Sequence, residues 1–167
     1  MPDGSARGMS RIGIAAIAAA LLLTCACSGG GGPGRDKNGQ VTSPGDLSVF
    51  DLRVGDCFTP SKDVKAEIES VHVVPCKDSH TQESFALVQY DKGDTYPGDS
   101  ELGNFADGAC LARYQDYVGV NYLDSKLFYT YLLPSARSWN DGKDRKVVCI
   151  ITTTGDSLTS SVKGSQR

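Results

Sequence analysis

The sequence predicts an α+β domain in which one helix packs on a small antiparallel β-sheet and two disulfides link the elements. Three observations support this fold class. Segments of alternating apolar and polar residues stand on both sides of a segment with helical periodicity. Four cysteines are spread through these segments at wide spacings. The stretch with enough apolar residues to fold, residues 47–153, has the size of one common domain.

Three strands are predicted before the helix and two after it, which gives the order β-β-β-α-β-β. The first strand bends at Gly55, and Pro75 ends the second strand or places it at a sheet edge. Asp141 and Gly142 are predicted to form a hairpin turn before the last strand. The predicted strands cover residues 48–58, 68–76, 83–90, 126–135 and 139–153.

The predicted helix covers residues 100–119, where the period of the apolar residues changes. Asp99 or Ser100 can cap its start, and Gly119 can close its end. Cys110 is expected to point from this helix into the protein. The apolar positions at helical spacings are Leu102, Phe105, Ala109, Ala112 and Tyr117.

The N-terminus reads as an export signal. A short basic region precedes "IGIAAIAAALLLT", an apolar run of 13 residues that suits a signal peptide and is short for a membrane span. Small residues then lead to a cysteine, which is typical of a lipoprotein signal. We expect residues 1–26 to be the signal peptide and Cys27 to carry the lipid, with Cys25 as the alternative. An ordinary cleaved signal peptide is the other interpretation.

The segments around the domain are poor in apolar residues. Residues 27–46 are rich in Gly and Pro and are expected to form a flexible linker, and residues 154–167 a disordered tail. The formal net charge of −3 argues against nucleic acid as a partner. We therefore expect a membrane-tethered protein, outside the cytoplasm, with an envelope protein as partner and no cofactor.

Four cysteines remain after Cys25 and Cys27 are set aside, and they allow three pairings. We predict Cys57–Cys76 and Cys110–Cys149, because each pair joins neighbouring elements in the predicted order. Chain-entropy estimates give about 3 kcal/mol for the shorter loop and about 4 kcal/mol for the longer one. The absence of a CxxC spacing argues against a redox dithiol or a zinc ribbon.

Residues 73–84, "VVPCKDSHTQES", contain two candidate functional side chains, His80 and Glu83. On a strand, residues three apart point to opposite faces, so these two share a site only if the turn is helical. A zinc site needs three or four ligands, and the other histidine, His72, lies in a predicted strand. We expect His80 and Glu83 to hold a turn by hydrogen bonds, with no catalytic residue and no metal site.

Two further motifs have functional interpretations that we set aside. Residues 155–158, "GDSL", resemble the nucleophile block of the GDSL-type hydrolases, but no histidine follows, and a serine without a base is a poor nucleophile. Trp139 could stack on a sugar ring. A single tryptophan is more often part of a core or a lid over a disulfide, and we expect that here.

A set of short motifs spans nearly the whole predicted domain: "VGDC" (54–57), "VVPC" (73–76), His80, Glu83, Cys110, "YVG" (117–119), Pro134, Trp139, Gly142, Arg145 and Cys149. This pattern resembles the septum formation domain of membrane-anchored proteins in Gram-positive bacteria. Ser79 stands where that family has proline before the histidine. The resemblance implies an extracytoplasmic, non-enzymatic module associated with cell division or the envelope. The alternative is a small hydrolase or metal-binding protein that uses His80 and Glu83.

Overall fold

The computed structural model describes residues 32–60 and 67–167. The predicted signal peptide, residues 1–26, and both candidate lipid-bearing cysteines lie outside the described residues. Among the helices of the described ranges, none combines the length and the apolar character needed to cross a membrane.

A six-stranded antiparallel sheet forms the centre of the molecule, as the α+β class predicts. Its strands are β3 (Gly45–Ser48), β4 (Cys57–Thr59), β5 (Ser70–Val74), β6 (Gln82–Gln89), β7 (Phe128–Leu132) and β8 (Lys146–Thr152). They pair in the order β3-β5-β4-β6-β8-β7. Two shorter strands, β1 (Gly34–Arg35) and β2 (Val41–Ser43), form a separate N-terminal hairpin. The helices are α1 (Asp99–Val118) and α2 (Ala136–Asp141).

The sheet is covered on both faces, and its interior strand β8 is correspondingly apolar along five consecutive residues, 147–151. Helix α1 packs on one face, where Cys110 forms the predicted disulfide with Cys149 across a Cα–Cα distance of 5.5 Å. The second predicted disulfide, Cys57–Cys76, is also present. The other face is covered by a second apolar cluster: Leu52, Phe58, Val71, Val73, Val148 and Ile150.

Helix α1 confirms the predicted helix to within one residue at each end. Its N-cap is Gly98, at φ 93°, rather than the predicted Asp99 or Ser100, and no side chain caps the first turn. Asp99 instead lies inside that turn, where its negative charge interacts favourably with the positive end of the helix dipole. Gly119 ends the helix in the left-handed conformation at φ 89°, as predicted.

The first predicted strand, residues 48–58, is wrong in extent. Ser48 accepts a hydrogen bond from the backbone of Phe50 and starts a 3₁₀ turn, Val49–Asp51. Gly55 then adopts φ 91°, so the chain cannot run extended until it reaches β4. Alternation of apolar residues was therefore misleading here, because a capped turn produces the same short pattern.

The hairpin turn predicted at Asp141 and Gly142 is also wrong. Strands β7 and β8 do pair, but the connection between them contains α2. Ser135 and Ser138 form a reciprocal capping box that starts this helix, and Gly142 ends it. The Asp-Gly pair thus serves as a helix end rather than as a strand-to-strand turn.

Both segments expected to be flexible contain ordered structure. Within residues 27–46, the described part forms β1, β2 and the start of β3. In residues 154–167, Leu158 and Val162 are buried, and the backbone of Gly164 donates to the carbonyl of Tyr117. The expected tail is therefore a packed segment, since two apolar residues among small polar ones suffice to bury it. We call residues 154–167 the C-terminal segment.

Candidate functional site

The turn between β5 and β6 is held at both ends. Its start carries Cys76, which is joined to Cys57 on the neighbouring strand β4 with a Cα–Cα distance of 5.2 Å. Its end carries His80, whose backbone pairs with Leu158 of the C-terminal segment. The N–H of His80 donates to the Leu158 carbonyl at 3.0 Å, and the N–H of Leu158 donates to the His80 carbonyl at 2.8 Å. The turn thus lies between a disulfide and a two-bond bridge.

The imidazole of His80 is buried, with 1% of the residue exposed. Its Nδ1 lies 2.8 Å from the carbonyl oxygen of Asp78. Because a carbonyl only accepts, Nδ1 must carry the proton and donate it there. The other nitrogen, Nε2, is buried and has no hydrogen-bond partner in the described ranges. The contact to Asp78 is the bond from side chain to turn that the sequence predicts.

The carboxylate of Glu83 is fully buried and accepts three hydrogen bonds. The Tyr117 hydroxyl donates to Oε1 at 2.5 Å, and the Ser161 hydroxyl donates to the same oxygen at 2.6 Å. The backbone N–H of Val162 donates to Oε2 at 2.8 Å. Burial first, and then the neighbouring Glu83 carboxylate, raise the pKa of the Tyr117 phenol well above its ordinary value. Tyr117 therefore stays a neutral donor.

His80 and Glu83 come together although no helical turn connects them. Their ligand atoms and the Sγ of Cys57 lie within 4.8 Å of one another, and all three residues are buried. The condition that these two side chains share a site only if the turn is helical is therefore wrong. The alternation rule applies within one strand, and His80 lies before β6 begins, in a position set by its bridge to Leu158.

This trio fits a metal ion poorly. The sulfur of Cys57 is bound to Cys76, and only a thiolate serves as a zinc ligand. Both oxygens of Glu83 already accept hydrogen bonds from protein groups. His80 Nε2 alone is without a protein partner, and a zinc site needs three or four ligands.

A second buried carboxylate, Asp56, lies close by; it belongs to the "VGDC" motif, but no contact or site was predicted for it. The Arg35 guanidinium forms two hydrogen bonds to it, at 2.6 and 2.8 Å, and the backbone N–H of Arg53 adds a third at 2.9 Å. This bidentate contact with Asp56 raises the pKa of the Arg35 guanidinium. The hydroxyl oxygen of Ser84 accepts a hydrogen bond from the backbone N–H of Asp56 at 3.2 Å. Arg35 stands in the expected linker, so no spacing rule could have linked it to Asp56.

A surface cleft of about 560 Å³ lies over this buried network. Tyr117 and Ser161, which both donate to Glu83, form part of its lining, and so does Asp56. The turn of the N-terminal hairpin forms another wall. Three basic side chains complete it: Arg53, Lys77 and Lys163. We call this feature the basic cleft.

The family model described as septum formation matches residues 53–166, more than half of the chain. The chain belongs to the septum formation family. No curated protein and no solved structure matches it. The match confirms the resemblance and extends it past residue 153, so the family pattern includes the C-terminal segment that closes over Glu83.

Two disulfides within a septum formation domain indicate an oxidising compartment outside the cytoplasm.

Trp139 belongs to the core, as expected, although it covers no disulfide. It packs against Tyr90, its Nε1 donates to the carbonyl of Asp94 at 2.7 Å, and the guanidinium of Arg145 lies 3.6 Å from its ring centroid. No ring face is therefore left for a sugar.

The GDSL motif of this septum formation domain has a packing role at its last position. Leu158 is buried with 1% exposed and pairs with His80, whereas Ser157 is exposed. Leu158 is thus the residue of the motif that packs into the core and pairs with the turn at His80.

Proposed function

We propose that this septum formation protein is a lipid-anchored, non-enzymatic interaction module on the outer face of the bacterial cell membrane, and that it serves septum formation during cell division. The family supports the process, and the disulfides support the compartment. The lipid anchor on Cys27 rests on the sequence of the N-terminus. Its partner in the proposal is another protein of the envelope.

The closure of the His80–Glu83 centre carries the non-enzymatic part of the proposal. A general base must come within hydrogen-bond reach of its substrate, and both side chains are at most 1% exposed. The Glu83 carboxylate already accepts three hydrogen bonds, from Tyr117, Ser161 and Val162. These contacts favour a structural role, in which His80 fixes the turn and Glu83 holds the C-terminal segment.

The anchor would keep the domain close to the membrane. Only a few residues separate Cys27 from Gly32, where the described structure begins. An extended chain covers at most about 3.5 Å per residue, so this connection spans less than roughly 20 Å. Such a short tether would hold the module beside membrane-bound partners.

Two variants of His80 separate the structural role from the alternative, a hydrolase or metal-binding protein. In His80→Asn, the side-chain amide can take the place of Nδ1 and keep the bond to Asp78. In His80→Gln, the amide lies nearer the place of Nε2. We expect His80→Asn to retain septum formation in a complementation assay and His80→Gln to lose stability. A folded His80→Asn protein without function would favour the enzyme or metal site instead.

The anchor and the process have tests of their own. Cys27→Ala should release the protein from the membrane fraction and abolish acyl labelling, with Cys25→Ala as the matched control. Cells that carry only the released form should divide with delayed septa, and crosslinking in intact cells should capture an envelope protein with the anchored form alone. Normal division in cells without the protein would refute the link to septum formation.

A further inference from the structure

The basic cleft concentrates positive charge on a chain whose formal net charge is −3. Arg53, Lys77 and Lys163 all line it and are all exposed to solvent. Within residues 32–60 and 67–167, none of these three forms an ion pair with a carboxylate. Their charges are therefore available to a ligand.

The one carboxylate in the lining does not offset this charge. Asp56 is 3% exposed, and its two oxygens are held by the guanidinium of Arg35 at 2.6 and 2.8 Å. Because Arg35 neutralises Asp56 from beneath, the surface of the cleft presents its three cations without a competing negative charge.

A larger cleft of about 860 Å³ on the same molecule has a different character. Its lining mixes both signs of charge, and Arg137 there is already paired with Glu67 and with Glu69. The larger cleft thus has carboxylates beside its cations, whereas the only carboxylate in the lining of the basic cleft is Asp56, which is buried and paired with Arg35.

Two of the cations are placed by the fold. The backbone N–H of Arg53 donates to the Asp56 carboxylate at 2.9 Å, and the hydroxyl of Ser84 donates to the backbone carbonyl of Arg53. Its guanidinium reaches the N-terminal hairpin, where a Cβ built on Gly39 would lie 3.0 Å from Nη1. The ammonium of Lys163 lies 6.0 Å from the ring centroid of Tyr117. Arg53 and Lys163 therefore face the same opening from opposite ends of the sequence.

We propose that the basic cleft binds a phosphate group. A phosphate offers more acceptor oxygens than a carboxylate, so one group can contact a guanidinium and two ammonium groups together. The guanidinium fork of Arg53 matches two phosphate oxygens, and Lys77 and Lys163 supply point charges. The cleft volume exceeds that of one phosphate, which leaves room for the organic group that carries it.

Two sources share this chemistry: a phospholipid headgroup at the membrane surface and a free phosphate compound. The proposal does not depend on the lipid anchor, since the charges are a property of the folded domain. The two sources are separated by the experiment below.

The test uses the full chain, ¹⁵N-labelled, in micelles of a neutral detergent. One arm adds inorganic phosphate, and the other adds phosphatidylglycerol to the micelles. The amide signals of Gly39 and Gly55, which both line the cleft, report binding in two-dimensional NMR spectra. We expect these signals to move with saturation, and the apparent affinity to fall severalfold between about 50 mM and 500 mM NaCl, since salt screens exposed charges.

A pair of double variants with equal charge change is the control. Lys77→Gln with Lys163→Gln should weaken binding about tenfold or more, because two of the three attracting charges are lost. Arg113→Gln with Lys126→Gln removes two exposed charges outside the cleft and should leave binding unchanged. A response to phosphate supports a free phosphate compound as ligand, and a response to phosphatidylglycerol alone supports a headgroup. No movement of the two glycine signals in either arm, or equal weakening in both variants, would overturn the proposal.

Discussion

Replacement of Glu83 by glutamine tests whether its carboxylate holds the C-terminal segment in place. Glutamine keeps the shape of the side chain but offers one acceptor oxygen and one amide group. If the glutamine oxygen accepts the hydrogen bonds from Tyr117 and Ser161, its amide NH2 faces the backbone N–H of Val162. In the wild-type protein that N–H donates to Oε2 of Glu83 at 2.8 Å. Two donors then oppose each other in a site without solvent.

The cost follows from these contacts. A buried N–H that loses its acceptor costs about 1–3 kcal/mol, and the hydrogen bonds from Tyr117 and Ser161 lose the strength that a charged acceptor adds. A lower desolvation cost for the neutral side chain offsets part of this. We expect Glu83→Gln to lower the free energy of unfolding by about 2–3 kcal/mol. For a domain of this size, that corresponds to a melting temperature lower by roughly 8–12 °C.

Thermal melts by circular dichroism at pH 7 would measure the effect, with Glu101→Gln as the matched control. Glu101 also accepts a tyrosine hydroxyl, that of Tyr90 at 2.5 Å, but it is exposed. Its substitution should change stability by less than about 0.5 kcal/mol. A Glu83→Gln protein that melts at or above the wild-type temperature would refute the reasoning, because the buried charge would then be a net cost to the fold.

Three further predictions follow from other contacts of the same region. Arg35→Gln should lower stability by about 2–3 kcal/mol in urea unfolding, because it leaves Asp56 buried without its cation; an unchanged midpoint would contradict this. A chain that ends before Leu158 should be cut far faster in limited proteolysis, since it loses the burial of Leu158 and Val162, about 1.5–3 kcal/mol each; equal resistance would contradict the packed segment. The pKa of Tyr117 is raised in the folded protein, whereas an unfolded tyrosine ionises near about pH 10. The contribution of Tyr117 to the free energy of unfolding is therefore complete below about pH 10 and is lost as the pH rises above it. Tyr117→Phe should therefore lose less stability than wild type between about pH 9 and pH 10.5, and parallel curves would count against this.

The elements that the sequence predicts well are those with a local cause. The periodicity of residues 100–119 and the glycine at position 119 define α1 without help from the rest of the chain. The disulfides follow from the order of elements, because Cys57–Cys76 and Cys110–Cys149 each join neighbours in the sheet or its helix. The family resemblance is carried by the same local motifs.

The parts that could not be predicted depend on contacts between distant residues. Ser161 and Glu83 are 78 residues apart, and neither the distance nor the small polar composition of the C-terminal segment points to their hydrogen bond. The same holds for Arg35 and Asp56, since an arginine in a Gly-rich stretch normally remains in solvent. The convergence of His80 with Glu83 was missed for the same reason, because Leu158 places His80.

The long separation between Glu83 and its donors has a consequence for the order in which the protein can mature during export. In a chain that is made from its N-terminus, the donors of Ser161 and Val162 follow 78 and 79 residues after the carboxylate that accepts their hydrogen bonds. Until then Glu83 must stay hydrated and the face of the sheet around it open, so the first disulfide can close well before the domain can complete its fold. Any factor that delays or captures the last stretch of the chain would hold the protein in a state with its first disulfide formed and its fold incomplete.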